Sequence, residues 1–207
     1  MKKTVYKFWQ NLSPTPAHMV LDKNVENYNQ EEQKEILSLL PDFSGKHVLE
    51  LASGIGRFTG HFAQLAKRVD TSDFNPTFLE KNKETHKHLQ NITYTLADAK
   101  TLDYEENTFD FVFINWLFLY FEDCDLIPYL QKINLWLKPG GFLFLRESCF
   151  KDIRNYENKD YAAIYRFQFE YDVVLSNIFS ITRWGMIESY IKYRGSSNQF
   201  YWLCQKK

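Results

Sequence analysis

Between residues 46 and 150, short apolar runs alternate with amphipathic stretches, the pattern that repeated strand–helix units leave around a parallel sheet. His47-Val48-Leu49-Glu50-Leu51 reads as a first strand. Phe58 to Lys67 reads as a helix with Phe58, Phe62, Leu65 and Ala66 on one face. Arg68 to Asp73 reads as the second strand, unusually polar for a sheet interior. Asn75-Pro76 opens the next helix, Asn as its cap and Pro where no backbone donor is needed. Ile92 to Ala97 alternates as a third strand, and Phe109 to Asn115 is nearly all apolar, as a strand covered on both faces should be. Leu126 to Leu137 is amphipathic at helical spacing. Lys138-Pro139-Gly140-Gly141 is expected to stop it in a turn, with Phe142 to Leu145 as the fifth strand. Further on, the pattern predicts a helix near Tyr161 to Leu175 and strands over Met186 to Tyr193 and Gln199 to Cys204. Arg194-Gly195-Ser196-Ser197 would join those two as a hairpin.

Length and charge narrow this to one compact domain. The chain has 207 residues with Lys+Arg 25 against Asp+Glu 26, so no basic field exists to hold nucleic acid or an anionic membrane. The longest uncharged apolar run, Phe111 to Phe121, is too short to span a bilayer. No secretory signal opens the sequence, and Cys124, Cys149 and Cys204 form no close pair, so a cytoplasmic, monomeric protein is expected. No histidine pair has metal-ligand spacing, and no metal is expected. Aromatic residues reach 17%, enough for an aromatic-lined pocket.

The chemistry concentrates in Glu50-Leu51-Ala52-Ser53-Gly54-Ile55-Gly56-Arg57-Phe58-Thr59-Gly60. A strand runs into a Gly-x-Gly turn that opens a helix, so a ligand can lie close against the backbone. A dinucleotide fingerprint wants a third glycine where Thr59 stands, and an apolar residue where Glu50 stands; a nicotinamide dehydrogenase fits poorly. Asp73, ending the second strand, is placed to accept both hydroxyls of a ribose. Asp98, after the third, is placed to accept from an adenine amino group, with Phe74 available to cover the ring.

These strings, with Trp136-Leu137-Lys138-Pro139-Gly140-Gly141, resemble the class I S-adenosylmethionine-dependent methyltransferases. More narrowly, the chain is similar to the amino-terminal domain of plant phosphoethanolamine N-methyltransferases. That likeness lies in Glu35-Ile36-Leu37-Ser38-Leu39-Leu40-Pro41, Asn115-Trp116-Leu117, Arg146-Glu147-Ser148-Cys149-Phe150, Tyr165-Arg166 and Trp202-Leu203-x-Gln205-Lys206. The resemblance implies a Rossmann-like α/β fold: a seven-stranded, mostly parallel sheet with its last strand antiparallel and helices on both faces. Residues 1–30 would form a lid, 46–150 the cofactor-binding core, and 151–207 the acceptor side. It also implies that Glu50, Gly54 and Gly56 hold the methionine end of S-adenosyl-L-methionine, with Arg57, Asp73, Phe74, Asp98, Ala99, Asn115 and Trp9 completing the cofactor site.

The reaction implied is methyl transfer to a small phosphobase, chiefly the first methylation of phosphoethanolamine. Its phosphate needs donors: Tyr165, Arg166 and Ser148 are the candidates, then Lys192 and Arg194. Asn115, Tyr120 and Glu147 are the candidate catalytic residues. Tyr120 stands where some relatives carry His, and its pKa near ~10 makes it a poor base. Trp116 stands where some stand-alone members carry an acid; its ring face suits a cationic amine or simply packing. Two other readings stay open. Phe8-Trp9-Gln10-Asn11-Leu12-Ser13-Pro14-Thr15 resembles the opening of protein N-terminal methyltransferases, and a cofactor-binding protein without catalysis also fits.

Overall fold

The computed structural model describes residues 3–151 and 163–207. Seven strands form one sheet: β1 (His47–Leu51), β2 (Arg68–Asp73), β3 (Ile92–Leu96), β4 (Phe109–Asn115), β5 (Leu137–Ser148), β6 (Phe179–Met186) and β7 (Gln199–Lys206). Their order is β3-β2-β1-β4-β5-β7-β6, and β7 alone runs antiparallel to its neighbours. The helices are α1 (Lys3–Gln10), α2 (Pro16–Val20), α3 (Asn29–Leu39), α4 (Thr59–Leu65), α5 (Pro76–Thr85), α6 (Asp123–Trp136), α7 (Gln168–Ile178) and α8 (Glu188–Arg194).

The central strands are apolar because both faces are covered. Phe111, Phe113, Phe144 and Leu203 pack with Ile36 of α3, Phe62 of α4 and Tyr190 of α8. Their neighbours in sequence, Val112, Ile114, Leu143 and Trp202, pack with Leu130 of α6 and Leu175 of α7. The two-residue period of the strands therefore sorts one sequence onto two cores. A third cluster, Val5, Trp9, Phe78, Leu119 and Tyr120, seats α1 across the strand ends.

The polar second strand is resolved by its partners. Asp70 takes His47 and Arg68, Thr71 donates to Glu50, and Asp73 accepts backbone N–H groups, so the buried carboxylates and Thr71 there are all bonded, while the Ser72 hydroxyl is buried without a partner.

Three expectations change. Lys138 to Gly141 is no turn after a helix: Leu137 already pairs with Phe109 and pairing resumes at Phe142 with Phe111, so these residues bulge out of β5. Met186 to Tyr193 is not a strand. It ends β6 and forms α8, whose last turn closes on Gly195 in the left-handed conformation at φ 60°. Arg194-Gly195 is thus a helix C-cap, not a hairpin turn. The helix expected near Tyr161 starts at Gln168 among the described residues; Tyr161 and Ala162 lie outside them.

Candidate active site

A cavity of about 240 Å³ opens at the carboxyl ends of β1, β2, β4 and β5, where the strand order reverses between β1 and β4. Its cofactor-side wall grows from β1. Glu50 is 1% exposed and accepts from the Thr59 and Thr71 hydroxyls. Burial pushes its carboxyl up to about 8. Thr59, the residue that breaks the dinucleotide fingerprint, is therefore a partner of Glu50. The turn that follows needs its glycines. Gly54 has φ 56°, and a Cβ there would meet the Met19 sulfur at 2.8 Å; Gly56 has φ 83°, and a Cβ there would collide with the Asn82 amide. At the end of β2, Asp73 accepts from Gly54 N (2.8 Å) and Asn75 N (2.8 Å), and burial raises its carboxyl to about 6. A dry carboxylate wall beside a glycine turn suits a ligand that brings its own cation and hydroxyls.

Residues 48–141 match a methyltransferase domain family. By fold and by family match, the chain is a class I methyltransferase domain. It is 35% identical over 215 residues to a phosphoethanolamine N-methyltransferase of Triticum aestivum, a match covering 97% of this chain and 43% of that one. A solved structure of Haemonchus contortus phosphoethanolamine N-methyltransferase 1, bound to phosphoethanolamine and S-adenosylhomocysteine, superposes with a TM-score of 0.93 at 30% identity. That match covers 98% of this chain and 48% of the other. An N-terminal Xaa-Pro-Lys N-methyltransferase of Xenopus tropicalis is 26% identical over 166 residues, 74% of this chain and 73% of its own. The methyltransferase domain spans less than half the length of the phosphoethanolamine relatives it matches.

The segment from α1 through the end of α2 brings Trp9, Met19, Val20 and Leu21 to the cavity. Trp9 O accepts from Asn75 Nδ2 at 3.0 Å, which ties α1 to the cap of α5. The Tyr6 hydroxyl donates to Asp98 at 3.1 Å, and its ring meets Phe74 edge-on at 4.6 Å. Phe74 lines the cavity; Asp98 and Ala99 do not, and Asp98 also caps its own short turn through Lys100 N. Gly56 stays off the cavity too, pressed against Asn82, whereas Arg57 reaches it while paired with Glu32 and Asn29.

Asn115 and Trp116 form the wall at the end of β4. Arg146 Nη1 donates to Asn115 Oδ1 at 3.0 Å; a guanidinium only donates, so the amide's NH₂ is the end left for the cavity. Trp116 sits at φ 62°, a strained conformation for a bulky residue. The Arg146 guanidinium 3.7 Å from its ring centroid and Gln199 on its indole N–H (2.7 Å) hold it there. One face of the ring is thus already taken by a cation. Arg146 is in turn neutralised by Glu32 at 2.9 Å, both fully buried.

On the acceptor side, Tyr120, Ser148, Tyr165 and Arg194 line the cavity as expected residues. Arg194 pairs with Asp22 at 3.0 Å and lies over Tyr190. Three expected residues do not reach it. Arg166 donates to Phe118 O (2.8 Å) and Phe121 O (2.6 Å) and pairs with Asp123. Glu147 is fully buried behind the wall and accepts from three backbone N–H groups. Lys192 projects to solvent with its ammonium over the Tyr193 ring. Lys151, Tyr190, Asn198 and Gln199 line the cavity without a sequence motif to announce them. Their only signal is position: just past β5, in α8, or just before and at the start of β7. Among the described residues no cluster fit for a metal occurs, and no helix is long and apolar enough to cross a membrane.

Proposed function

We propose that this domain moves a methyl group from S-adenosyl-L-methionine to the amine of phosphoethanolamine, chiefly in the first methylation. One observation carries the reading. A single cavity holds the buried carboxylates Glu50 and Asp73 on one side of β4, and the cations Lys151 and Arg194 on the other. The first pair fits the ammonium and ribose of the cofactor, and the second fits a phosphate. When bound, the cofactor supplies a sulfonium-activated methyl group. The chain's own work is alignment and dryness: Trp9, Met19 and Leu21 cover the site, and Asn115 offers N–H donors at its centre.

The acceptor amine must give up a proton before it attacks. Among the described residues lining the cavity, the only carboxylates are Glu50 and Asp73, both on the cofactor side. Glu147 faces backbone N–H groups and is not the base. Tyr120, which lines the same cavity as Asn115, is the group left to orient the amine while water carries the proton away.

The wheat relative, a phosphoethanolamine N-methyltransferase, and the Haemonchus structure, bound to phosphoethanolamine, support the phosphobase reading. The N-terminal methylation reading has the Xenopus likeness in its favour, but a basic peptide would find no acidic acceptor wall among the described residues. Labelled cofactor incubated with phosphoethanolamine, and separately with an Xaa-Pro-Lys peptide, decides between them. Label in the phosphobase is the expected result; label only in the peptide, or in neither, overturns it. We further propose a cytoplasmic monomer, which gel filtration at micromolar concentration checks for its oligomeric part.

A further inference from the structure

The residues the site does not absorb, Glu147 and Arg166, meet on one short piece of chain. Glu147 Oε1 accepts from Leu117 N (2.9 Å) and Phe118 N (2.6 Å), and Oε2 from Leu119 N (3.3 Å). Arg166 takes the opposite polarity of the same turn, donating Nη1 to Phe118 O and Nη2 to Phe121 O. Its Nε reaches Asp123 Oδ1 at 2.9 Å, on the first residue of α6. Ile164 N adds a bond to Leu119 O at 2.6 Å. The turn 117–121 is gripped by a carboxyl group on its amides and a guanidinium on its carbonyls, both buried.

That turn carries Tyr120, and the strand of chain that carries Arg166 carries Tyr165 beside it. Both tyrosines line the cavity. We infer that Glu147 and Arg166 are positioning residues that lock the Tyr120 wall to the Tyr165 wall and so set the width of the acceptor pocket. The cofactor wall on β1 and β2 shares none of these bonds, and the turn meets the cofactor side only through Tyr120 on Trp9, so the pair acts chiefly on the acceptor. A carboxylate is needed because only an acceptor-only group takes three N–H donors. A guanidinium is needed because two carbonyls and a carboxylate must be reached by one planar fork.

The kinetic part of this inference rests on the phosphobase reading; the structural part does not, and the experiment separates them. Amide exchange is followed in the protein saturated with S-adenosylhomocysteine and free of acceptor. In Glu147→Gln and Arg166→Lys, exchange at Leu117, Phe118 and Leu119 should accelerate at least ~10-fold, while the affinity for S-adenosylhomocysteine stays within about twofold. With phosphoethanolamine, kcat/KM should fall ~10-fold or more in both variants. Unchanged exchange, or cofactor affinity falling in step with turnover, overturns the lock. If the unaltered protein fails to methylate phosphoethanolamine while the exchange arm behaves as expected, the substrate reading fails and the lock stands. Should both variants fail to fold, Asp123→Asn keeps the test open. That carboxylate is 84% exposed, and its loss should loosen the same three amides to a smaller extent. No change there overturns the lock as well.

Discussion

At the scale of single residues, Glu50 shows how a charged group survives in a strand core. Burial raises its carboxyl to about 8, against the opposing pull of two donating hydroxyls, so it holds its proton past neutrality. A ligand ammonium would take the carboxylate form, so binding should release a proton and tighten as pH rises from 6 to 8. Isothermal titration in buffers of different ionisation enthalpy checks this. Glu50→Gln should weaken S-adenosylmethionine by ~30-fold or more, about 2 kcal/mol, and should flatten that pH dependence. Arg194 tests the other wall: Arg194→Ala should raise the KM for phosphoethanolamine ~10-fold or more and leave cofactor affinity within about twofold. The sequence discloses Glu50 and Asp73 because their types are out of place in strands. It misassigns Arg166 because an arginine beside a tyrosine looks alike whether it faces a phosphate or a pair of carbonyls. Only the fold decides which way the fork points.

At the scale of elements, the strand–turn–helix from β1 to α4 was fully legible, since glycine, threonine and the apolar period all mark the same place. Gly56 shows how tightly it is built. Gly56→Ala adds a Cβ at φ 83° on top of Asn82, whose amide also bonds Ser53 and Thr59. Backbone strain and overpacking together should cost about 2–4 kcal/mol, lower Tm by several degrees, and weaken the cofactor through Thr59 and Glu50. Thermal denaturation with and without S-adenosylhomocysteine reads both effects, and a wild-type Tm would sink the account. Elements near the chain's last third read poorly. Ile187-Glu188-Ser189-Tyr190-Ile191 carries strand-forming residues, yet it winds into α8 because Glu35 of α3 supplies its missing cap, accepting from Glu188 N (2.6 Å) and Ser189 N (2.8 Å). A cap from a helix about 150 residues away leaves no local signal.

For the whole molecule, three buried carboxyls set the response to pH. Burial raises Glu50 to about 8, Asp73 to about 6 and Glu147 to about 7. Each holds its proton in the folded chain beyond the pH at which the unfolded chain releases it. Their stabilising effect is therefore complete below about pH 4 and is lost as pH climbs through 6 to 8. Urea midpoints of the ligand-free protein should fall over pH 5 to 8, and saturating S-adenosylhomocysteine should reduce that slope by favouring ionised Glu50. A rising midpoint over that interval would contradict it. The sheet has one more consequence. β6 precedes β7 in the chain, yet its hydrogen-bonding partner in the sheet is β7, which lies between it and β5. The 179–186 segment thus waits, unpaired, until residues 199–206 arrive and zip both edges together. With them comes Gln199, which pins Trp116. A ribosome-bound intermediate lacking those residues would carry a finished wall at β1 and β2 and an unfinished one at Trp116, so the two sides of the cavity are completed in order, the glycine-turn side first.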